Sequence, residues 1–230
     1  LYLGVFFNVV IMATVSLAAI KIFGVMLGLS SCETLLIVSV VTVFYSSLGG
    51  LKGVLLTDFF QFFIAMAGAF GAAIYIVSLP EIGSLDALLT HPNVSDKLNI
   101  IPDFSDWNLL IPLFIMPLAI QWWATWYPGA EPGGGGYIAQ RMLSAKDEKN
   151  AIGATLLFNV THYAIRPWPW IIIALASLII FPQLSDMQAA FPNIEESKLG
   201  DDLAYSAMLT FLPKGLIGIV LASLIAAVMS

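Results

Sequence analysis

Residues 54–79 read VLLTDFFQFFIAMAGAFGAAIYIVSL, and across that run only Asp58 is charged and only Gln61 carries an amide. A membrane span needs about 20 predominantly apolar residues. The run is continuous rather than alternating, so it predicts a helix and not a strand. Working outward, five further segments resemble it, giving six expected spans at about 3–29, 33–48, 54–79, 109–127, 151–181 and 204–230. The first holds only Lys21 as a charge, the fifth is expected to be broken by Pro167 and Pro169, and Pro213-Lys214-Gly215 interrupts the sixth. Hydrocarbon leaves no backbone group unpaired except at high cost, so helices are the spanning structure these runs allow. A barrel would show alternating segments of roughly ten residues.

Composition agrees. The chain is 59% hydrophobic and 10% charged, with a mean hydropathy of +0.91; soluble chains average about 25% charged. So few charges cannot dress a water-exposed surface, which makes the lipid bilayer the expected partner. The net charge of -6 is concentrated in two polar connections, and no basic cluster suits nucleic acid. The single Cys32 excludes a disulfide framework within the chain. Both ends fall inside apolar runs, so the 230 residues read as one partial transmembrane domain, a fragment of a longer chain.

The connections differ in kind. Ser30 to Glu33 and Leu48-Gly49-Gly50-Leu51-Lys52 read as tight turns, whereas 80–108 and 182–203 are long and acidic. Lys52, Arg141, Lys146 and Lys149 lie in short connections on one side, which favours that side as cytoplasmic. That assignment makes 128–150 a cytoplasmic connection and sets the two acidic connections outside the cell membrane.

Polar groups inside spans are costly, at least about 2.5 kcal/mol for a charge at the centre, and each requires a reason. Asp58 and Gln61 are three apart on one helical face; they suit a cation route or the bracing of a helix entry. Pro128-Gly129-Ala130-Glu131-Pro132 followed by Gly133 to Gly136 cannot hold a helix. It reads either as the break in a discontinuous helix or as an ordinary cytoplasmic loop. Gln121, Trp122, Trp123, Trp126 and Tyr127 crowd the end of the fourth span, as a stacking platform for a polar solute or as an interfacial aromatic belt. Asn159, His162, Tyr163 and Arg166 recur at helical spacing, with His162 and Arg166 four apart. They suit solute recognition, or a buried polar cluster in which Arg166 pairs with an acid such as Glu131 or Asp58. No histidine pair, serine elbow or metal-ligand spacing points to an enzyme, and no cofactor is expected.

Three strings carry a family resemblance. Gly49-Gly50-Leu51-Lys52-Gly53-Val54 with Thr57-Asp58 and Gln61, then Tyr137-Ile138-Ala139-Gln140-Arg141-Met142-Leu143-Ser144-Ala145-Lys146, then Phe211-Leu212-Pro213-Lys214-Gly215-Leu216 with Ala222 to Ser230, resemble in order the signatures of the sodium:solute symporter family. The resemblance implies an all-α integral membrane protein of two inverted five-helix repeats, of which these six spans would be core helices 3 to 8. It implies sodium as the coupling ion, with a backbone carbonyl of Ala227 and the hydroxyl of Ser230 as ligands and Asp58 assisting release inward. It sets Gln121, Trp122, Trp123 and His162 toward a small solute such as a sugar; from the residues themselves, Asn159 is expected beside them, and Glu131, Gln140, Arg141 and Arg166 are expected in structural or gating roles. His162 stands where the sugar-transporting members carry lysine, and the Pro-Gly-rich insertion before Gln140 departs from their pattern. A symporter-like sensor module and a proton-coupled transporter are the alternatives.

Overall fold

The computed structural model describes residues 2–99, 101–121, 141–192, 194 and 200–229, and every regular element among them is a helix. In chain order they are α1 (Tyr2–Leu27), α2 (Ser31–Val77), α3 (Leu85–Thr90), α4 (Pro92–Ser95), α5 (Trp107–Leu110), α6 (Glu148–Asn159), α7 (Pro167–Ile180), α8 (Leu184–Ala190), α9 (Ala204–Leu209) and α10 (Lys214–Met229). Three helical stretches are long and apolar enough to cross a membrane, Val9–Leu27, Leu55–Val77 and Glu148–Ile180. Three shorter apolar helices, Ser31–Phe44, Trp107–Ile120 and Lys214–Ala227, fall in the remaining expected segments.

Local chemistry explains the ends. Gly28, with φ of 67°, lets the chain leave α1 in the left-handed conformation that only glycine adopts freely. Ser30 then starts α2 through a capping box: its Oγ accepts from the Glu33 backbone N–H at 3.3 Å, and Glu33 Oε2 accepts from the Ser30 N–H at 2.9 Å.

In the structure helix stands where a turn is expected at Leu48 to Lys52. Those residues are helical and lie inside α2, a single helix of 47 residues that joins the segments read as the second and third spans. Two glycines cost a helix about 1 kcal/mol each relative to alanine. Without a proline this does not stop two strongly helical flanks from joining.

The expected break at Pro167 and Pro169 is corrected as well. The Glu148–Ile180 stretch stays helical, with a π-helical turn over Val160–Ile165 and Pro167 at the first position of α7. A proline lacks the N–H and crowds the carbonyl one turn back. The wider π turn accommodates it, and at a helix start the missing donor costs nothing. Pro112 and Pro117 sit in two further π turns, Ile111–Ile115 and Pro117–Gln121. The sixth segment is divided more fully: α9 ends at Leu209, and α10 begins after Pro213.

The contacts divide the chain into two compact units: Leu1–Val10 with Ser95–Ala164, and Ile11–Val94 with Ile165–Ser230. The second unit holds the larger core, where Ala72, Ala73 and Ile76 of α2 meet Ile173 and Ala176 of α7, Met208 and Leu209 of α9, and Val220 of α10. Ile82, Leu88 and Val94 from the first acidic connection are buried in the same cluster. Met187 and Leu203 of the other acidic connection pack with Val25 of α1 and Ala207 of α9. These described parts of both connections are therefore seated on the helices of the second unit.

Candidate functional site

In the second unit α2 and α10 pack antiparallel. A Cβ added to Gly68 would meet Ile219 and Val220 Cγ2 at 3.3 Å, and one added to Gly71 would meet Leu216 Cδ1 at 3.2 Å. Small residues at this spacing let two backbones approach closely. Helices rise 1.5 Å per residue, so about 10 Å beyond the Gly68 contact Ala227 comes abreast of Gln61. Asp58 follows one turn on. Counted on that register, Asp58 and Ala227 fall toward the same end of the helix pair. Asp58 is half-buried with its Oδ1 shut away from the surface, while Ala227 is exposed. Thr57 turns its hydroxyl back to its own helix, donating to the Gly53 carbonyl at 2.9 Å. Ser230 lies outside the described residues.

Of the residues read as facing the solute, Trp122 and Trp123 lie outside the described residues, and Gln121 is described only as the last residue of a π turn. In the first unit, Asn159 is exposed and donates its amide to the Thr155 carbonyl at 2.9 Å. His162 is half-buried in an aromatic cluster: it stacks on Phe158 at 5.0 Å with an interplanar angle of 13°, and meets Tyr163 edge-on at 4.8 Å. Among the gating residues, Glu131 and Gln140 lie outside the described residues. Arg141 is half-buried, and its carbonyl accepts from the Ser144 hydroxyl at 2.8 Å.

Arg166 belongs to the second unit. Its guanidinium carbon lies 4.6 Å above the centre of the Trp170 ring, within the range of a cation–π interaction. The Trp170 indole N–H donates to the Tyr205 hydroxyl of α9. The spacing of four on a helix could have pointed to this aromatic neighbour.

Two contacts at the other end of this unit were also missed. Lys21 Nζ pairs with Asp202 Oδ2 at 2.7 Å, and Asn93 Nδ2 donates to the Leu178 carbonyl near the end of α7 at 3.1 Å. Helix ends leave carbonyls without intrahelical donors, which gives Asn93 something to cap.

No solved structure matches the chain. A stretch of 73 residues, 32% of this chain and 12% of the relative, is 34% identical to the Drosophila melanogaster protein named "Putative sodium-dependent multivitamin transporter". That stretch is a small part of the relative's length. The profile of the sodium:solute symporter family matches residues 2–230. With the apolar helices, the signature strings and a match that runs nearly end to end, the chain belongs to the sodium:solute symporter family.

Proposed function

We propose that this chain is the central part of a sodium-coupled symporter that moves a small polar organic solute across the cell membrane by alternating access. The observation that carries the reading is the family match over residues 2–230. The register of α2 on α10, on which Asp58 and Ala227 fall toward the same end of the helix pair, is in keeping with it. The relative's printed name, a sodium-dependent transporter, is in keeping with sodium as the coupling ion.

In this reading the fold is part of two inverted five-helix repeats, and the end carrying the acidic connections faces outward. Ala227 and Ser230 hold sodium, and Asp58 eases its release on the inner side. Gln121, Trp122, Trp123, Asn159 and His162 face the solute. Glu131, Gln140, Arg141 and Arg166 shape the gates. The sodium gradient supplies about 2.3 kcal/mol per charge per 100 mV, plus its concentration term. It drives uptake only through different affinities of the outward and inward states.

The test is uptake into vesicles by the full-length protein. Ser230→Ala raises the sodium concentration for half-maximal uptake; an unchanged value removes Ser230 from the site. Uptake driven by a pH gradient with no response to sodium would replace the coupling ion with a proton.

A further inference from the structure

We propose that residues 101–107 form an interfacial foot, in which two chained turns hold the Phe104 and Trp107 rings in the headgroup layer of a zwitterionic lipid surface. The foot is independent of which solute the protein moves and of the ion that drives it.

The first acidic connection ends in a short repeat, Asp103-Phe104-Ser105 and Asp106-Trp107-Asn108, each half an acid, an aromatic and a polar residue. Each acid folds its own half. Ser105 donates its backbone N–H to Asp103 Oδ1 at 2.9 Å, and Asn108 donates its N–H to Asp106 Oδ1 at 3.0 Å. The Asp106 N–H donates to the Asp103 carbonyl at 3.0 Å and chains one turn to the next. Neither turn needs anything of its middle side chain. Yet both middle positions carry large rings. Phe104 is 62% exposed and Trp107 63%, with Ile101 57% exposed just before them.

Three observations name lipid as what covers them. Trp107 is the first residue of the apolar helix Trp107–Ile120, where a polar connection passes into an apolar run. Indole favours that boundary, because its body is apolar and its N–H is a donor. Phe104 reaches the same helix, meeting Phe114 edge-on at 5.7 Å, and Ile111 and Leu113 of that helix are themselves exposed. The third observation is charge. The sequence has no Lys or Arg between Lys97 and Arg141. The Ser105 backbone N–H and hydroxyl hold the Asp103 carboxyl below the usual carboxylate range, so it stays ionised beside the headgroups. Anionic lipid attracts basic segments and repels this one, which leaves a zwitterionic surface as the fit.

The experiment uses the full-length protein, with no other cysteine, in phosphatidylcholine nanodiscs. A nitroxide is attached singly at Phe104→Cys, Ser105→Cys and Trp107→Cys. Its collisions with oxygen, which concentrates in lipid, are compared with those with a water-soluble nickel chelate. The expected result is a higher oxygen-to-nickel ratio at 104 and 107 than at 105, with depths within about 10 Å of the lipid phosphates. Replacing half of the lipid with phosphatidylglycerol lowers the ratio at 104 and 107; an unchanged ratio overturns the choice of a zwitterionic surface. Labels at 104 and 107 as open to nickel as the one at 105 overturn the foot, since the rings then stand in water. Labels shielded from both reagents overturn it too, since protein then covers the rings. Should the cysteine variants fail to fold, Trp107→Phe in the otherwise unaltered protein decides. It removes part of the tryptophan emission quenched by lipids brominated near the headgroup, and unchanged quenching overturns the proposal.

Discussion

Lys21 Nζ lies 2.7 Å from Asp202 Oδ2, joining the one charged side chain of the first apolar segment to the 3-10 turn that precedes α9. The pair closes 181 residues of sequence. It places the C-terminal end of α1 beside the second acidic connection. At the same end, Asn93 of the first acidic connection caps α7 through the Leu178 carbonyl. Asn93 and Asp202, one from each acidic connection, therefore both tie down onto helices of the second unit.

A topology prediction comes directly from the pair. Cysteines placed singly at residues 21 and 202 of an otherwise cysteine-free full-length protein react with an impermeant maleimide from the same side of the membrane, and that side is the outside. Labelling from opposite sides refutes the arrangement. The pair itself is modest in energy, because the side chains remain 21% and 59% exposed; such contacts contribute about 0–1 kcal/mol. Asp202→Asn should lower the melting temperature slightly at low salt and not at 1 M salt, where screening acts within about 3 Å.

The acidic connections are predicted to be structural rather than loose. Leu88 is fully buried against the helix ends. Leu88→Ala should cost about 2–5 kcal/mol, through the lost apolar contact and the cavity left behind. Asn93→Ala removes one hydrogen bond at an exposed position and should cost about 0.5–1.5 kcal/mol. Apparent melting temperatures of the full-length protein in detergent check the order. Equal effects would mean that the connection is not packed as described.

Much of this architecture was legible in the sequence, because hydropathy and punctuation act locally. Among the described residues apolar helices lie in the expected segments, the Ser30–Glu33 connection is a capping box, and a helix begins at Lys214 after Pro213. The structure carries helix through Gly49-Gly50 because glycine only weakens a helix, and what the flanks do decides the outcome. Prolines 112, 117 and 167 were harder still, since their cost depends on whether the neighbouring turn widens into a π turn, which no spacing rule encodes. The same widening limits the site reading. The rule that residues four apart share a face assumes α-helical pitch, and His162 lies within a π turn. The Arg166–Trp170 pair was readable from spacing, whereas the Lys21–Asp202 pair depends on the tertiary fold.

The contact of α2 on α10 distinguishes two glycines. A Cβ at Gly68 meets two γ-methyls of β-branched side chains, Ile219 and Val220, with the Val220 backbone close behind at 3.7 Å. Those side chains are stiff at χ1. A Cβ at Gly71 meets the end of Leu216, which turns aside more easily. Gly68→Ala should therefore destabilise by about 1–3 kcal/mol, as overpacking does. Gly71→Ala should be neutral or slightly stabilising, because alanine improves helix propensity by up to about 1 kcal/mol. Gly68→Ala should also weaken sodium-driven uptake more than Gly71→Ala, since it disturbs the packing of α2 on α10. Equal melting temperatures for the two variants would contradict the close approach.

The length of α2 makes the most demanding prediction. A straight helix of 47 residues is about 70 Å long at 1.5 Å per residue, more than twice the hydrocarbon thickness of about 30 Å. Its two apolar parts, Ser31–Phe44 and Leu55–Val77, cannot both lie in one bilayer unless the chain folds back between them. Gly49-Gly50 is the cheapest place to do so, since glycine both weakens the helix and permits the backbone angles of a turn. In the membrane, spin labels at residues 38 and 66 of the full-length protein are therefore expected within about 25 Å of each other. The straight helix sets them about 42 Å apart along its axis. Replacing both glycines with alanine should strengthen the helix by about 2 kcal/mol, shift the distance distribution toward the longer value and reduce uptake. A long distance in the unaltered protein within the bilayer would mean that only one of the two apolar parts spans.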